Sequence, residues 1–375
     1  MLKSMYRMIV AAVVLATVAA CSRTAQTDSE GANTRIAINV PLTGPIAGWS
    51  GQFVNGFTMG IEDASAEFDL DPAGFVVLAD DNAGDAGQAS AIFSRQKMSG
   101  FDVYISVATG PANAVMGDVD AMEVPHFIAA FDPFITKGGK NRLRIMANSK
   151  AEAPLIVEYA KERNAKTVAI VQLNFAYANE QVGELIVPAL EAEGMSTTRE
   201  LFDIERRDFD VIAEKLLAQK PDLIFLVGYS FHLQALVRDL KERNLVGDGN
   251  VVATMDLVDL IDPDTPSPEL GGMVFDAPLI ELNQTAEAAS WEQRFEDRFH
   301  AEATYVPAFA YDTAWLIVKA RSELPRGQKL TTDALVHATP FEGLNGMIEL
   351  DGDRDIRVTG ALARYDAERG IVPLN

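Results

Sequence analysis

The chain has 375 residues, of which 48% are hydrophobic and 23% charged, so it is long enough to bury two hydrophobic cores of ordinary size. Asp and Glu outnumber Lys and Arg by 54 to 32, which gives a net charge of −22. This charge excludes the basic surface that nucleic-acid binding requires. A single cysteine excludes a disulfide framework and a thiolate metal site.

The first residues follow a pattern typical of secreted proteins. Lys3 and Arg7 form a basic start, an apolar stretch over 8–20 follows, and Val-Ala-Ala leads directly to Cys21. The apolar stretch is too short to span a bilayer comfortably and predicts a signal peptide over residues 1–20. We predict that Cys21 is the first residue of the mature chain and carries lipid, and that residues 21–34 form a flexible tether. The alternative is that Cys21 is an ordinary residue of an uncleaved signal.

Beyond the tether, short apolar runs alternate with amphipathic stretches, which predict strands and helices respectively. In chain order, the first series consists of Ile36–Leu42 (strand), Gly56–Phe68 (helix), Gly74–Ala79 (strand), Ala86–Met98 (helix), Val103–Val107 (strand), Ala112–Met122 (helix) and His126–Ala130 (strand). This alternation implies βαβ units and a mostly parallel sheet with helices on both faces.

The same rhythm restarts after Arg144 and predicts a second lobe of similar design. Its elements are Ala151–Arg163 (helix), Thr167–Gln172 (strand), Asn179–Glu193 (helix), Ser196–Leu201 (strand), Phe209–Gln219 (helix), Leu223–Val227 (strand), Leu233–Arg243 (helix) and Val251–Thr254 (strand). A loop rich in proline and aspartate, LIDPDTPSPELGG, and a strand at Met273–Pro278 follow.

Two long amphipathic helices, Glu287–His300 and Ala308–Leu324, have no strands of their own to cover. We therefore predict that the chain crosses back to the first lobe and later returns. The N-terminal lobe then consists of residues 35–146 plus 279–346, and the C-terminal lobe of residues 147–278 plus 347–375. Ligands of open α/β sheets bind beyond the carboxyl ends of the strands, which places a cleft between the lobes.

Six stretches of sequence carry a resemblance to a known family. They are PLTGPIAGWSGQFVNGFTMGIEDA, VVLADDNAGDAGQASA, GPANAVMGDVDAMEVPHF, NFAYANEQVGELIVPALEAEG, DFDVIAEKLLAQKPDLIFLVGY and AFAYDTAWLIVKA. In this order and spacing they resemble the signatures of the branched-chain-amino-acid-type periplasmic binding proteins, a type I solute-binding family, from Arg35 to about Tyr365. The resemblance implies an α/β fold of two Rossmann-like lobes joined by three crossovers, which close on a small ligand, usually for an ABC transporter.

The resemblance also implies site residues in the first lobe. Trp49 lies in the turn that presents an aromatic ring to the cleft, so we expect it to cover the ligand; the alternative is that it packs on its own lobe. Thr109 and Gly110 match the stretch that holds a ligand's polar head, with Asn113 one helical turn further on. The simpler interpretation of Thr109 is that it only caps the next helix.

The next loop departs from the family pattern. Phe131 lies in a short motif where relatives typically have a threonine that binds an amino acid head group. Asp132, the next residue, either restores polarity to this loop or is a turn residue. Tyr177 and Tyr229 match ligand-facing tyrosines; a core or rim position is the alternative for each. The acidic residue that pairs with an amino group falls near Asp256, although Met255 aligns with the position itself.

Enzyme motifs are not evident. GWSGQ lacks the spacing of a nucleophile elbow, and the histidines lie far apart. We therefore predict a protein that is not an enzyme and that needs neither a cofactor nor a metal. The candidate cleft residues include aromatic rings and no arginine or lysine, which predicts a small amphipathic ligand of the amino acid, amide or carboxylate type, with its head near Thr109.

Two functions are compatible with this pattern. The first is a lipid-anchored, monomeric solute-binding protein in the periplasm or at the cell surface, which serves the permease subunits of an ABC importer. The alternative is a sensor, or a regulator of a cell-wall enzyme, on the same scaffold.

Overall fold

The computed structural model describes residues 33–44, 46–247, 249–261, 267–282, 285–357 and 360–374. The predicted signal peptide, Cys21 and nearly all of the predicted tether lie outside these residues. Among the helices that are described, we find none with the length and apolar character needed to cross a bilayer.

The strands occupy two large sheets and one small hairpin. They are β1 (Thr34–Val40), β2 (Phe75–Asp81), β3 (Val103–Val107), β4 (His126–Ala129), β5 (Arg142–Leu143), β6 (Thr167–Leu173), β7 (Ser196–Phe202), β8 (Leu223–Val227), β9 (Val251–Ala253), β10 (Val274–Pro278), β11 (Phe341–Gly343), β12 (Gly346–Ile348), β13 (Gly360–Asp366) and β14 (Gly370–Pro373).

The first sheet has the strand order β2-β1-β3-β4-β5 and is parallel throughout. The second has the order β14-β13-β10-β9-β8-β6-β7. Its strands β6 to β10 are parallel, whereas β13 and β14 are antiparallel additions at one edge. The central strands β3 and β8 are buried along their whole length, as expected of parallel strands covered on both faces. The predicted α/β class with two parallel-sheet lobes is thus confirmed, except that the second sheet is mixed.

The α-helices cover these sheets. They are α1 (Ala47–Ser50), α2 (Phe53–Glu67), α3 (Ala86–Ser99), α4 (Thr109–Asn113), α5 (Met116–Val119), α6 (Ser149–Glu162), α7 (Ala176–Glu180), α8 (Val187–Ala192), α9 (Asp210–Gln219), α10 (Ser230–Glu242), α11 (Leu279–Leu282), α12 (Ala286–Phe299), α13 (Tyr305–Glu323) and α14 (Thr332–His337). Short 3-10 helices occupy Pro72–Gly74, Met255–Leu260 and Pro268–Leu270.

We call the five-stranded sheet and the elements packed on it the first lobe, and the seven-stranded sheet with its helices the second lobe. The chain passes between the lobes three times: after β5, after β10 and before β13. As predicted, the long helices after β10 return to the first lobe, where α12 and α13 pack against α2.

Two glycines allow α2 and α13 to approach closely. A Cβ atom on Gly56 would lie 2.1 Å from the carbonyl oxygen of Pro307, and one on Gly60 would lie 2.6 Å from that of Tyr311. Because backbone atoms cannot yield as a flexible side chain can, only glycine fits at these two positions. This contact fixes the start of α13, which reaches the cleft.

Several predicted elements differ from the observed ones. The helix predicted over Ala112–Met122 is instead two short helices, α4 and α5, separated by tighter turns before Gly117, a poor helix former. The helix predicted over Asn179–Glu193 contains a π-helical segment, Gln181–Ile186, because Pro188 lacks the N–H that an α-helical bond to Glu184 needs. Strands β5 and β11 to β14 were not predicted.

Candidate ligand-binding site

The residues selected from the sequence lie on loops at the carboxyl ends of parallel strands. Trp49 follows β1 on the one-turn helix α1 rather than in the loop that the sequence suggested, and Phe131 follows β4. On the second lobe, Tyr177 follows β6, Tyr229 follows β8 and Asp256 follows β9. This is the edge at which α/β sheets bind ligands.

Four of the predicted side chains form a continuous row of aromatic rings across the two lobes. The ring centroids of Trp49 and Phe131 are 5.8 Å apart, those of Phe131 and Tyr177 are 6.3 Å apart, and those of Tyr177 and Tyr229 are 6.5 Å apart. Phe131 packs against core clusters of both lobes. The row therefore links the first lobe to the second at the predicted cleft.

Tyr305 belongs to the same site, and the sequence analysis missed it. The indole Nε1 of Trp49 donates a hydrogen bond of 2.8 Å to the Tyr305 hydroxyl, which lies at the start of α13. This contact orients the partly buried indole, so Trp49 is anchored on its own lobe and also faces Phe131. No local motif marks Tyr305; its place depends on the packing of α13 against α2.

The backbone of Phe131 is held from both sides. Its N–H donates to the Thr109 hydroxyl oxygen at 3.1 Å, and its carbonyl accepts from the hydroxyl of Ser149. The guanidinium of Arg144 donates to the carbonyls on either side of Phe131, those of Ala130 and Asp132, at 2.7 and 2.6 Å. These bonds fix the aromatic ring at the junction of the lobes.

Arg144 is itself completely buried and forms a bidentate ion pair with Asp355. Its Nε and Nη2 atoms donate to the two carboxylate oxygens at 2.7 and 2.5 Å. Arg144 follows β5, and Asp355 lies in the last crossover, so the pair ties two of the three crossovers together. A buried pair with this many hydrogen bonds resists rearrangement, because separating the charges in a dry environment is costly.

The remaining first-lobe candidates are less central. Gly110 is exposed, and a side chain there would meet nothing within 4 Å. Asn113 donates to an oxygen of Asp132 at 2.8 Å, and the other oxygen of Asp132 accepts from the N–H of Phe134. Asp132 is therefore a turn residue, the simpler of the two interpretations considered.

Ala108, which precedes Thr109, has an unusual backbone conformation with φ 77° and ψ 143°. An L-residue with a Cβ atom is strained there by about 1–3 kcal/mol. Such strain persists where the surrounding structure enforces it, which is common in loops that hold a ligand. The strain sits directly next to the residue that positions Phe131.

Carboxyl groups of the second lobe and of the crossover after β10 line the same region. Burial, followed by repulsion from Asp259, raises the pKa of Asp256 well above its ordinary value. Burial raises the pKa of Asp259 to about 6 and that of Glu281 to about 7. Asp259 is exposed to solvent, whereas Asp256 and Glu281 are partly buried. Sequence reasoning found only Asp256.

Behind this surface, Glu152 and Asp276 form a buried carboxyl pair. Glu152 accepts from the backbone N–H of Met255 at 3.1 Å and from the Gln181 amide at 2.5 Å. Asp276 has no hydrogen-bond partner within the described ranges. Burial raises the pKa of both groups, and Asp276 raises that of Glu152 further. Glu152 thus contacts the segment that carries Asp256, and its charge raises the pKa of Asp256.

A surface hollow of about 640 Å³ lies apart from this row of rings. Its lining includes Arg207, Phe231, Arg238 and Lys241. Two of its cations are already engaged, since Arg238 pairs with Asp239 and Lys241 donates to a backbone carbonyl. No residue of the aromatic row lines this hollow. We therefore place the candidate site at the cleft, where the aromatic rings and carboxyl groups lie.

Comparison with known proteins identifies the family to which the chain belongs. A family model described as periplasmic binding protein matches residues 33–368. The Leu/Ile/Val-binding protein BraC3 of Rhizobium johnstonii is 23% identical over 218 residues, which cover 56% of this chain and 59% of that protein. The chain therefore matches less than two thirds of the length of this curated relative.

Solved structures agree over most of the chain. The branched-chain amino acid transporter substrate-binding protein LivJ of Streptococcus pneumoniae, in complex with isoleucine, has a TM-score of 0.73 at 18% identity and covers 91% of this chain and 100% of its own. A solute-binding protein of an ABC transporter from Rhodopseudomonas palustris, in complex with 3,4-dihydroxybenzoic acid, has a TM-score of 0.73 at 18% identity and covers 90% and 94%. These likenesses show a common fold, and with a family model that matches residues 33–368, this chain belongs to the periplasmic binding protein family.

Proposed function

We propose that this protein captures a small organic solute between its two lobes and delivers it to an ABC importer. The observation that carries the proposal is the row of rings from Trp49 through Phe131 and Tyr177 to Tyr229, which crosses from one lobe to the other at the carboxyl ends of the strands. Flat, rigid rings supply a large contact area at a small cost in conformational entropy. A cleft lined in this way suits an amphipathic molecule better than a sugar or a phosphate.

The ligand class we propose is an amino acid, an amide or a carboxylate. Thr109 accepts from the N–H of Phe131, which leaves its hydroxyl proton to donate to a polar head group. LivJ of Streptococcus pneumoniae was solved with isoleucine, and the Rhodopseudomonas palustris protein with an aromatic acid, so the fold accommodates both kinds of ligand.

We also propose that the mature chain begins at lipidated Cys21, acts as a monomer and works with ABC permease subunits in the periplasm or at the cell surface, held to a membrane by its lipid. Mass spectrometry of the membrane fraction tests the anchor. An unmodified Cys21, or a soluble mature chain that begins elsewhere, contradicts it.

Closure of the cleft is a further part of the proposal. Residues 35–146 with 279–346 and residues 147–278 with 347–375 are proposed to move as units about the three crossovers. Small-angle scattering with and without a bound ligand should show compaction. An unchanged profile with a tight binder argues against hinge closure.

The decisive experiment is isothermal calorimetry with purified protein, guided by a thermal-shift screen of amino acids, amides, carboxylates and amines. Trp49→Ala should weaken binding of any hit by about tenfold or more, because it removes a large aromatic contact. Trp49→Phe keeps a ring but loses the hydrogen bond to Tyr305, so its affinity for the ligand should lie between those of the parent and Trp49→Ala. Tight binding of plain leucine that Trp49→Ala leaves unchanged would contradict the assigned site.

A further inference from the structure

Carboxyl groups from separate segments converge on one side of the cleft. Asp256 and Asp259 lie on the 3-10 helix after β9, and Glu281 lies on α11 after β10. The 3-10 helix packs against β10, and α11 packs against both β10 and α13, the helix that begins at Tyr305. All three carboxyl groups also raise the pKa of the buried Tyr305 hydroxyl, after burial itself, so they face a common space near the Trp49–Tyr305 hydrogen bond. We call Asp256, Asp259 and Glu281 the acidic wall.

Among the described residues, no ion pair balances the charge of this wall. Between Arg243 and Arg294 the sequence has no Lys, Arg or His. Within the described ranges, the ion pairs of the protein involve other carboxylates and none of the three in the wall. Crowded carboxyl groups without a cation are costly in a desolvated place, and a positive ligand would relieve the cost.

A second observation comes from Tyr177. Its side chain is only 6% exposed, and within the described part of the chain its hydroxyl has no hydrogen-bond partner. Asp256 and Glu152 both raise its pKa, after burial, so the hydroxyl faces the acidic side of the cleft. The hydroxyl is therefore free to form a hydrogen bond with a ligand. An ammonium group placed between Tyr177 and Asp256 would donate to the hydroxyl oxygen and to the carboxylate at once.

The aromatic rings suit the same ligand. The ring faces of Trp49 and Tyr177 carry negative electrostatic potential, which attracts an organic cation, and the rings can also pack against its carbon skeleton. An organic amine would therefore meet carboxylates at its charged end and rings along its body. The head group of a carboxylate ligand would be repelled by any ionised member of the wall and would gain nothing from the ring faces.

We propose that the ligand is an organic amine with a net positive charge, bound with its ammonium group against the acidic wall and its carbon skeleton against the rings. This inference rests on the proposed function and narrows its ligand class. It assigns Asp259 and Glu281 to ligand selection, beyond the Asp256 position that the family resemblance suggested.

The first test is a charge series on one carbon skeleton, measured by calorimetry at pH 7 and low salt. The compounds are 2-phenylethylamine, 3-phenylpropanamide and 3-phenylpropanoate, together with 1,5-diaminopentane, leucine and benzoate. We expect the amines to bind at least tenfold more tightly than the neutral amide and the carboxylates to bind most weakly. Repeating the amine titration in buffers of different ionisation enthalpy should show proton release, because a bound cation favours the ionised carboxylates.

The second test uses variants. Asp259→Asn and Glu281→Gln should each weaken amine binding by about tenfold and leave the neutral amide unchanged, because only the charge is lost. Glu162→Gln is the matched control, since this exposed residue ends α6 at the far end from Glu152. Thermal unfolding of each variant shows that it is folded.

The outcomes separate this inference from the proposed function. If leucine or a carboxylate binds tightly, Trp49→Ala weakens it and the amines do not compete, the cleft is a binding site and the amine proposal is wrong. If no amine binds at millimolar concentration, the amine proposal is wrong whatever the other compounds do. If amines bind and Asp259→Asn and Glu281→Gln behave like Glu162→Gln, the acidic wall does not select the ligand.

Discussion

His126 in the first lobe and the Glu152–Asp276 pair in the second are buried ionisable groups whose pKa values shift in opposite directions. On β4, burial and then the charge of Arg142 lower the pKa of His126 to about 3, and its Nε2 atom forms a hydrogen bond of 2.9 Å with the Ser106 hydroxyl. In the second lobe, burial raises the pKa of both carboxyl groups. Burial thus favours the neutral form of all three groups, one histidine in the first lobe and two carboxyl groups in the second.

This difference bears on the cleft between them. The first lobe contributes rings with well-placed backbone bonds, whereas the second contributes carboxyl groups that its own side chains do not neutralise. The ligand site is therefore built from two different surfaces, one that fixes the shape of the site and one that sets its charge. The following predictions test whether the lobes differ in this way.

The largest effect should come from the ion pair that joins the lobes. Asp355→Ala leaves the guanidinium of Arg144 buried without its carboxylate and removes the oxygen that accepts from the Thr136 hydroxyl at 3.1 Å. Breaking such a pair from one side costs about 3–5 kcal/mol, which urea unfolding can measure. Ligand binding should weaken as well, because Arg144 also holds the carbonyls beside Phe131.

Asp353→Ala is the matched control in the same segment. Asp353 is partly exposed and lies 3.6 Å from the ammonium group of Lys150, so its loss should cost less than about 1 kcal/mol. Similar losses in the two variants would mean that the crossover tolerates a buried unpaired arginine, and the lobes would then be joined mainly by apolar packing.

The next effect should appear within the first lobe. Gly56→Ala places a methyl group against the backbone of Pro307, so α2 and α13 must separate, at a cost of about 1–3 kcal/mol. The shift would also move Tyr305, and Trp49 with it. Gly117→Ala is the control, because nothing lies within 4 Å of a Cβ atom there. Gly56→Ala should lower the free energy of unfolding. Gly117→Ala should leave it unchanged or raise it, because alanine is a better helix former than glycine in an exposed helix.

The sequence was sufficient for features that depend on local patterns. Continuous apolar runs gave the bounds of β3 and β8 correctly, because strands covered on both faces need no polar alternation. The four rings were selected because their loops resemble the family signatures, and each of these loops comes after a parallel strand. By contrast, β13 has an irregular pattern of buried and exposed residues at the sheet edge, and no apolar run marks it.

The missed site residues depend on contacts between distant parts of the chain. Tyr305 reaches the cleft only because α13 packs against α2 through glycines, and Glu281 reaches it only because the chain crosses between lobes there. Asp259 lies one turn beyond the predicted Asp256, on a 3-10 helix that a parallel-sheet rhythm does not predict. Such positions follow from packing, and one sequence without its fold does not display them.

The opposite pKa shifts predict opposite limits of stability. In the unfolded chain, Asp276 and Glu152 lose their protons near their ordinary pKa values of 3.8 and 4.5. In the folded protein both groups keep their protons to a higher pH. Stability should therefore fall as the pH rises from about 4 towards about 8. His126 has the reverse sign: the unfolded imidazole binds a proton near its ordinary value of 6.5, the folded one does not until about 3, and stability falls with falling pH.

Asp276→Asn separates the two limits. The variant should be more stable than the parent at pH 8 by on the order of 1 kcal/mol, because an amide is never ionised, and the two should match near pH 4, where the parent carboxyl is protonated. The loss of stability at low pH should be unchanged, because His126 is intact. Urea unfolding between about pH 3 and pH 8 measures the loss of stability at both ends of the range. A variant less stable than the parent at pH 8 would mean that the Asp276 carboxylate is stabilised in the fold.

The smallest effect concerns backbone strain, in which the lobes also differ. In the first lobe, Ala108 has a φ of 77°, whereas the corresponding residues before the second-lobe helices, Phe175, Tyr229 and Thr254, are all in the extended region. Glycine at position 108 would relieve strain of about 1–3 kcal/mol but would give the unfolded chain about 0.4–1 kcal/mol of extra entropy. Because the relief of strain equals or exceeds the entropy cost, we expect Ala108→Gly to be at least as stable as the parent.

Ala114→Gly provides the opposite sign with the same chemical change. Ala114 is exposed and has helical angles of −63° and −20°, so glycine there should cost about 0.5–1 kcal/mol. Ala108→Gly should at the same time weaken ligand binding slightly, because Thr109 and the Phe131 N–H bonded to it become less rigidly placed. Urea unfolding and calorimetry on both variants measure the two effects. If both substitutions destabilise the protein equally, the φ of Ala108 stores no strain, and the contrast between a strained first-lobe loop and relaxed second-lobe loops is wrong.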